Sequence, residues 1–148
     1  SVIPDCGITT DVIAGFCGET EQDHQDTLTL MEQVVFDSAF MFAYSERPGT
    51  LASKKYPDDI PYEEKTRRLN EIIALQGRMS LKSNEKEIGK RLKVLVEGPS
   101  KKNPDELCGR ASSNKMCVFP SQGEKPGDYC EVEVVSVTSA TLICRRID

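Results

Sequence analysis

Paired cysteines, long apolar runs and an excess of positive charge are what this sequence lacks, and each lack closes off a class of function. Its six cysteines stand at positions 6, 17, 108, 117, 130 and 144, and none sit as CxxC, CxxxC or another metal or cluster spacing, so a locally encoded zinc or iron–sulfur site is not expected. An even count permits disulfides, but nothing suggests secretion. Most of the six flank or lie in apolar runs, and they read as buried free thiols packing as small hydrophobes. No apolar run approaches the roughly 20 residues that span a bilayer. The opening Ser-Val-Ile-Pro-Asp has neither an initiator Met nor a basic-then-apolar signal layout, so a cytoplasmic chain with no membrane partner is expected. That opening runs almost at once into an apolar strand, as if cut from something longer.

The formal net charge of -5 argues against nonspecific binding of polyanions by the chain as a whole. The average hides an asymmetry. Residues 1–88 carry 9 basic against 16 acidic side chains, whereas residues 89–148 carry 10 against 8. The second part is therefore the one suited to an anionic partner.

The same boundary separates two kinds of periodicity. Ile8–Phe16 is an apolar, β-branched run broken by Gly15 and Gly18, the pattern of a strand buried on both faces. Thr20 can cap a following helix, with Asp23 completing a capping box. Leu28, Met31 and Val35, with Leu30 and Val34, give that helix an apolar face. A second buried strand follows at Ser38–Ser45. Strand, helix and strand make a βαβ unit with a parallel sheet and a right-handed crossover. Ligands of such units sit beyond the C-terminal strand ends, which puts Gly15–Glu19 and Tyr44–Thr50 on one rim. Two parallel strands cannot cover both faces alone, so the rest of the sheet is expected outside these residues. The loop Glu46–Ile60 holds Pro48, Gly49 and Pro57 and should be largely irregular. Pro61 then opens a helix running to about Glu87, its apolar positions Leu69, Ile72, Ile73 and Met79. Glu63, Glu64, Lys65, Arg67 and Arg68 read as its solvated face with local ion pairs. From Lys90 the period becomes two. Five short strands, near Leu92–Val96, Leu107–Arg110, Lys115–Phe119, Tyr129–Val137 and Thr141–Ile147, predict a small antiparallel barrel. The fold class is thus α/β plus all-β, with domains at 1–88 and 89–148.

Three segments carry a family resemblance. Asp11-Val-Ile-Ala-Gly-Phe-Cys-Gly-Glu-Thr20 resembles the DxIxGFPGET stretch of radical-SAM methylthiotransferases, with Cys17 in place of the usual Pro. Tyr44-Ser-Glu-Arg-Pro-Gly-Thr50 resembles their YSxRPGT loop. Val96 to Arg110 resembles the start of their TRAM domain, an OB-like RNA-binding barrel. The match is collinear over essentially the whole chain and favours the tRNA-modifying branch, which adds a 2-methylthio group to N6-dimethylallyladenosine beside the anticodon. Relatives acting on ribosomal protein S12 or on threonylcarbamoyl-adenosine fit less well. The resemblance implies the end of a radical-SAM partial (β/α) barrel followed by a TRAM domain.

It also implies a parent enzyme that uses S-adenosylmethionine and two [4Fe–4S] clusters. The cluster motif CxxxCxxC is absent here, so this segment should bind no cofactor and generate no radical by itself. By resemblance, Asp11, Ile13, Gly15 and Phe16 lie on the S-adenosylmethionine side of the barrel. Arg47, on the rim, can pair with a phosphate or carboxylate. Lys101, Lys102, Asn103, Arg110, Asn114 and Lys115 gather in the barrel's first two loops, where Lys and Arg suit phosphate and Asn suits a base edge. Phe119 and Tyr129 are either base-stacking residues or core. His24, where relatives often carry Phe, reads as packing or surface. The expected partners are the tRNA anticodon arm, the rest of the same chain, and a second copy through the unfinished sheet edge. The competing reading is a stand-alone RNA-binding module, against which Ile8–Ser45 argues, because a free module needs no buried strands.

Overall fold

In the computed structural model, which describes Ile3 and residues 6–147, the chain divides into a unit of Thr9–Met79 and another made of Ser80 onward together with the described residues before Thr9. The opening Ser-Val-Ile-Pro-Asp lies, but for Ile3, outside the described residues. The first unit holds β1 (Thr9–Ala14), α1 (Glu21–Val34), β2 (Ser38–Ala43), α2 (Leu51–Lys55) and most of α3 (Tyr62–Glu85). β1 and β2 pair in parallel, from Thr9 opposite Ser38 to Ala14 opposite Ala43. Thr20 caps α1 as its sequence predicts: its hydroxyl accepts from the Asp23 N–H while the Asp23 carboxylate accepts from the Thr20 N–H. The same helix ends on Val35 at φ 56°, a left-handed turn that β-branched residues rarely adopt.

The core of this unit is Ala14, Met31, Ile72 and Leu75, with Val12, Leu28, Phe36, Met41, Leu69 and Met79 around it. Both long helices therefore pack against the Val12–Ala14–Met41 side of the sheet. The other side is open, which corrects the expectation of strands buried on both faces. Ile13, Phe40 and Phe42 are 54%, 68% and 57% exposed, because period-two alternation sends them away from the helices. Two helix faces also differ from expectation. In α1 the buried stripe is His24, Leu28 and Met31, while Leu30 and Val34 face outward. In α3, Ile73 is exposed and the stripe begins with Lys65 and Arg68, both buried.

The second unit is a closed barrel of β3 (Arg91–Pro99), β4 (Glu106–Ala111), β5 (Met116–Pro120), β6 (Tyr129–Val137) and β7 (Leu142–Arg146), in the order β3-β4-β5-β7-β6. Four of its pairings are antiparallel. The fifth, β5 with β7, is parallel. An odd number of strands cannot alternate direction all the way round a ring, so one parallel contact is obligatory. Inward alternation fills the barrel with Val94, Val96, Leu107, Ala111, Cys117, Phe119, Cys130, Val132, Val134, Leu142 and Cys144. All six cysteines are free thiols, but only these three are buried; Cys6 is exposed and Cys17 and Cys108 are half-buried. The end of α3 belongs to this unit. The Asn84 side-chain amide donates to the Thr138 carbonyl at 2.9 Å, and the Lys115 ammonium donates to the Ser83 hydroxyl at 2.8 Å.

One position in the barrel allows no side chain. A Cβ on Gly109 would stand 2.2 Å from the Leu95 carbonyl oxygen and 2.7 Å from a Val94 methyl. The first neighbour is backbone of a paired strand and has nowhere to move. Gly109→Ala should accordingly destabilise the barrel by at least about 1–3 kcal/mol, the usual cost of overpacking a dense interior. Gly77→Ala, mid-helix in α3 with open space around it, should instead stabilise by roughly 0.5–1 kcal/mol. Chemical denaturation of the two variants beside the parent chain checks both signs.

Candidate nucleic-acid interface

Outward-facing residues of β4, β5 and β7 line a groove of about 430 Å³. Cys108, Met116, Val118 and Ile143 make its apolar floor. Its walls are the loop after β3, with Ser100, Lys101 and Lys102, and the loop after β6, with Thr138 and Thr141. Period-two alternation produces the floor, since Leu107, Cys117, Phe119, Leu142 and Cys144 turn inward from the same strands. Lys101 and Lys102 have no carboxylate partner among the described residues. Glu106 is the acidic residue of the lining. An apolar floor beside two free ammonium groups suits a ligand with flat apolar parts and negative charge.

The other basic-loop residues have structural partners. Asn103 shapes the turn after β3: its side-chain oxygen accepts from the Asp105 N–H at 3.1 Å and its carbonyl from the Glu106 N–H. Arg110 donates to Glu97 at 3.0 Å and to the Asn114 carbonyl at 2.9 Å. Asn114 sits at φ 64°, a left-handed conformation that Asn tolerates better than most residues. Lys115 is nearly buried, its ammonium on Ser83 and 3.7 Å from Glu87. Phe119 is core, whereas Tyr129 is 63% exposed. Of the expected set, then, Lys101 and Lys102 come together in the groove, Arg110 pairs with Asn114, and Lys115 ties down the helix end. Sequence reasoning missed Cys108, Met116, Val118 and Ile143 as a floor. Their alternation with inward residues was the available signal.

In the first unit the rim is organised by buried charge. The Glu19 carboxylate accepts from the Gly15 N–H at 3.0 Å and from the Arg68 guanidinium at 2.8 Å. Arg68 also donates to the Glu19 carbonyl and to Glu64. The Lys65 ammonium donates to Asp58 and to the Tyr44 carbonyl, and Asp59 accepts from the Gly18 N–H at 2.8 Å. The solvated reading of Lys65 and Arg68 is therefore corrected: carboxylates from the loops draw both cations inward. At Gly15, φ 73°, a Cβ would meet the Lys65 side chain at 2.4 Å. The close approach at this glycine is to α3. Phe16 packs edge-on against Tyr44, centroids 5.0 Å apart.

Asp11 and Ile13 lie on the open sheet face, opposite Phe40 and Phe42 in register. Ile13, Phe42, Tyr44 and Arg47 share a shallow cavity of about 400 Å³. Arg47 is exposed, and its carbonyl accepts from the Thr50 N–H and hydroxyl at the start of α2. His24 is buried and hydrogen-bonds Glu71 at 2.8 Å, a packing position. No group of three or more His, Cys, Asp or Glu side chains among the described residues is arranged to hold a metal ion, and no described helix is long and apolar enough to cross a membrane.

Comparison with known proteins matches residues 85–145 to the TRAM domain. Along nearly its whole length the chain is similar to proteins named tRNA-2-methylthio-N(6)-dimethylallyladenosine synthase. The relative from Phocaeicola vulgatus is 52% identical over 141 residues, covering 95% of this chain and 31% of its own. That from Bacteroides thetaiotaomicron is 55% identical over 141 residues, again 95% and 31%. The Amoebophilus asiaticus protein is 55% identical over 145 residues, 96% of this chain and 30% of its own. The chain thus spans about a third of the length of the curated relatives it matches.

The charge network sets a pH dependence. Hydrogen bonds from Arg67, and then Arg68, hold the Glu64 carboxyl down at about 2. Glu71 is lowered by His24 and then Arg67, and Asp23 by Thr20. A carboxyl depressed in the fold stabilises it above the unfolded-state value and loses that contribution as pH falls toward the folded value. Thermal midpoints should therefore fall as pH drops from about 4.5 toward 2, and Glu64→Gln should flatten that decline. Melting followed by circular dichroism across the acid range measures both.

Proposed function

We infer that this chain, a TRAM domain over residues 85–145 joined to a βαβ unit, belongs to the methylthiotransferase family of its relatives and serves to dock tRNA. One observation carries the docking role. The groove lies on the second and third strands of a five-stranded closed barrel, with Ile143 of the fifth beside them, and is flanked by the loops after the first and fourth strands. That is where OB-type barrels bind oligonucleotides. Lys101 and Lys102 supply charge for phosphate. Cys108, Met116, Val118 and Ile143 give a floor on which a sugar or base edge can rest. The relatives' name supports a tRNA that carries N6-dimethylallyladenosine as the RNA held near this barrel, and by the family resemblance the part held is the anticodon arm.

The whole enzyme's chemistry would come from S-adenosylmethionine and [4Fe–4S] clusters, which supply a radical and sulfur when bound. This chain's cysteines do not fit the cluster role: they lack the spacing, and three of them fill the barrel core. We therefore assign this segment no radical step. Toward S-adenosylmethionine the fit is partial. Asp11 and Ile13 stand on the open sheet face, and Arg47 lines the shallow cavity that Ile13 also lines. In the reading proposed here they form part of the wall against which that ligand is oriented. Gly15 serves the packing on Lys65.

Binding of the chain to an anticodon stem-loop across a salt series tests the docking role. Affinity should fall steeply with salt, and Lys101→Ala/Lys102→Ala should weaken it and reduce the log–log slope by about 2, one per lost phosphate contact. A folded chain that shows no binding at low salt would remove the role.

A further inference from the structure

The groove contains no aromatic side chain. Single-stranded nucleic acid held on OB-type barrels stacks its bases on aromatic rings, and only two aromatics occur in residues 89–148, Phe119 and Tyr129. Phe119 is 1% exposed inside the barrel. Tyr129 is on the surface, on another part of the barrel wall. It starts β6 and pairs with Leu95 of β3, which pairs on its other side with Arg110 of β4. Arg110, Leu95 and Tyr129 thus form one row across three strands. Arg110 faces outward two residues along β4 from Cys108 of the groove floor, so the row begins where the groove ends.

The row has the parts of a stacking platform. The Tyr129 ring is 63% exposed although the Lys93 ammonium sits 4.8 Å from its centroid. Leu95, 37% exposed, extends the apolar surface beside it. The Arg110 guanidinium is held in place by Glu97 and by Asn114, so its plane is ordered before any ligand arrives. Glu131 stands opposite Lys93 in register, and Glu133 is engaged by Arg145 at 3.0 Å. These carboxylates make the face poor for a run of phosphates. They leave it suited to an uncharged base, whose exocyclic amines a carboxylate can accept from.

We propose that Tyr129, with Leu95, Lys93 and Arg110, is a second RNA contact that stacks one unpaired nucleobase beyond the end of the groove. The proposal rests on the tRNA-docking reading and adds to it a single-stranded substrate element read by stacking. A stacked base is held by contact area and the ring face, a phosphate by charge. The two sites therefore differ in their response to salt.

The test is binding of the full chain to the anticodon stem-loop, whose loop is unpaired, over a salt series, comparing Tyr129→Ala, Tyr129→Phe and Lys101→Ala/Lys102→Ala. Tyr129→Ala should weaken binding at least about fivefold at every salt concentration with the slope unchanged, while Tyr129→Phe keeps wild-type affinity. Circular dichroism melts confirm that the exposed substitution leaves the barrel folded. Wild-type affinity in a folded Tyr129→Ala, with the double lysine variant still impaired, would overturn the stacking contact and leave the docking groove standing. So would a loss that Tyr129→Phe shares. If the wild-type chain fails to bind the stem-loop at all, the docking reading falls and this contact falls with it.

Discussion

The βαβ unit depends on one half-buried carboxylate. Glu19 reaches back to the Gly15 N–H and across to the Arg68 guanidinium, and so joins the end of β1, the turn before α1 and the third helix. Arg68 is 5% exposed, and a guanidinium so buried is costly unless its donors are met. Arg68 meets them with the Glu19 carboxylate, the Glu19 carbonyl and Glu64. Lys65, about one turn earlier on the same stripe, is met by Asp58 and the Tyr44 carbonyl. The rim loops are thereby held by charge: Lys65 fixes the Tyr44 carbonyl, and Phe16 packs against the Tyr44 ring.

In the barrel the corresponding constraint is steric. Closure with five strands demands a parallel contact, which β5 and β7 supply. It also brings β4 so close to β3 that Gly109 has no room for a Cβ. Apart from Phe119, small and medium side chains, three cysteines among them, fill a narrow interior. The same alternation that fills it leaves Cys108, Met116, Val118 and Ile143 outside as a floor. The groove is thus built from the residues the core does not use. The lysines of the first loop stay free because no described carboxylate reaches them, while Lys115 is drawn into the helix end by Ser83 and Glu87.

Much of this was legible in the chain itself. The Thr20–Asp23 box, the βαβ order, the long third helix and the five barrel strands follow from local chemistry and short-range periodicity, which act within a few residues. Less legible was which way a helix turns its charged residues. The Lys65–Arg68 stretch looks like solvated surface because the carboxylates that bury it, Asp58 and Glu19, come from loops whose paths no period encodes. Leu30, Val34 and Ile73 read as inward because they are apolar, yet the stripe belongs to His24, Leu28, Met31, Ile72 and Leu75.

The sequence by itself determined the elements, the division into an α/β part and an all-β part, and the family resemblance. These are properties of local residue order. Only the tertiary structure decided which partners those residues have. It joined loops forty residues apart into a groove, withdrew Lys115 and Phe119 from the surface, and left Tyr129 as the one exposed ring of the barrel. Those outcomes depend on strand register and ring closure, which are set by packing across the whole unit and not by any stretch of chain read alone.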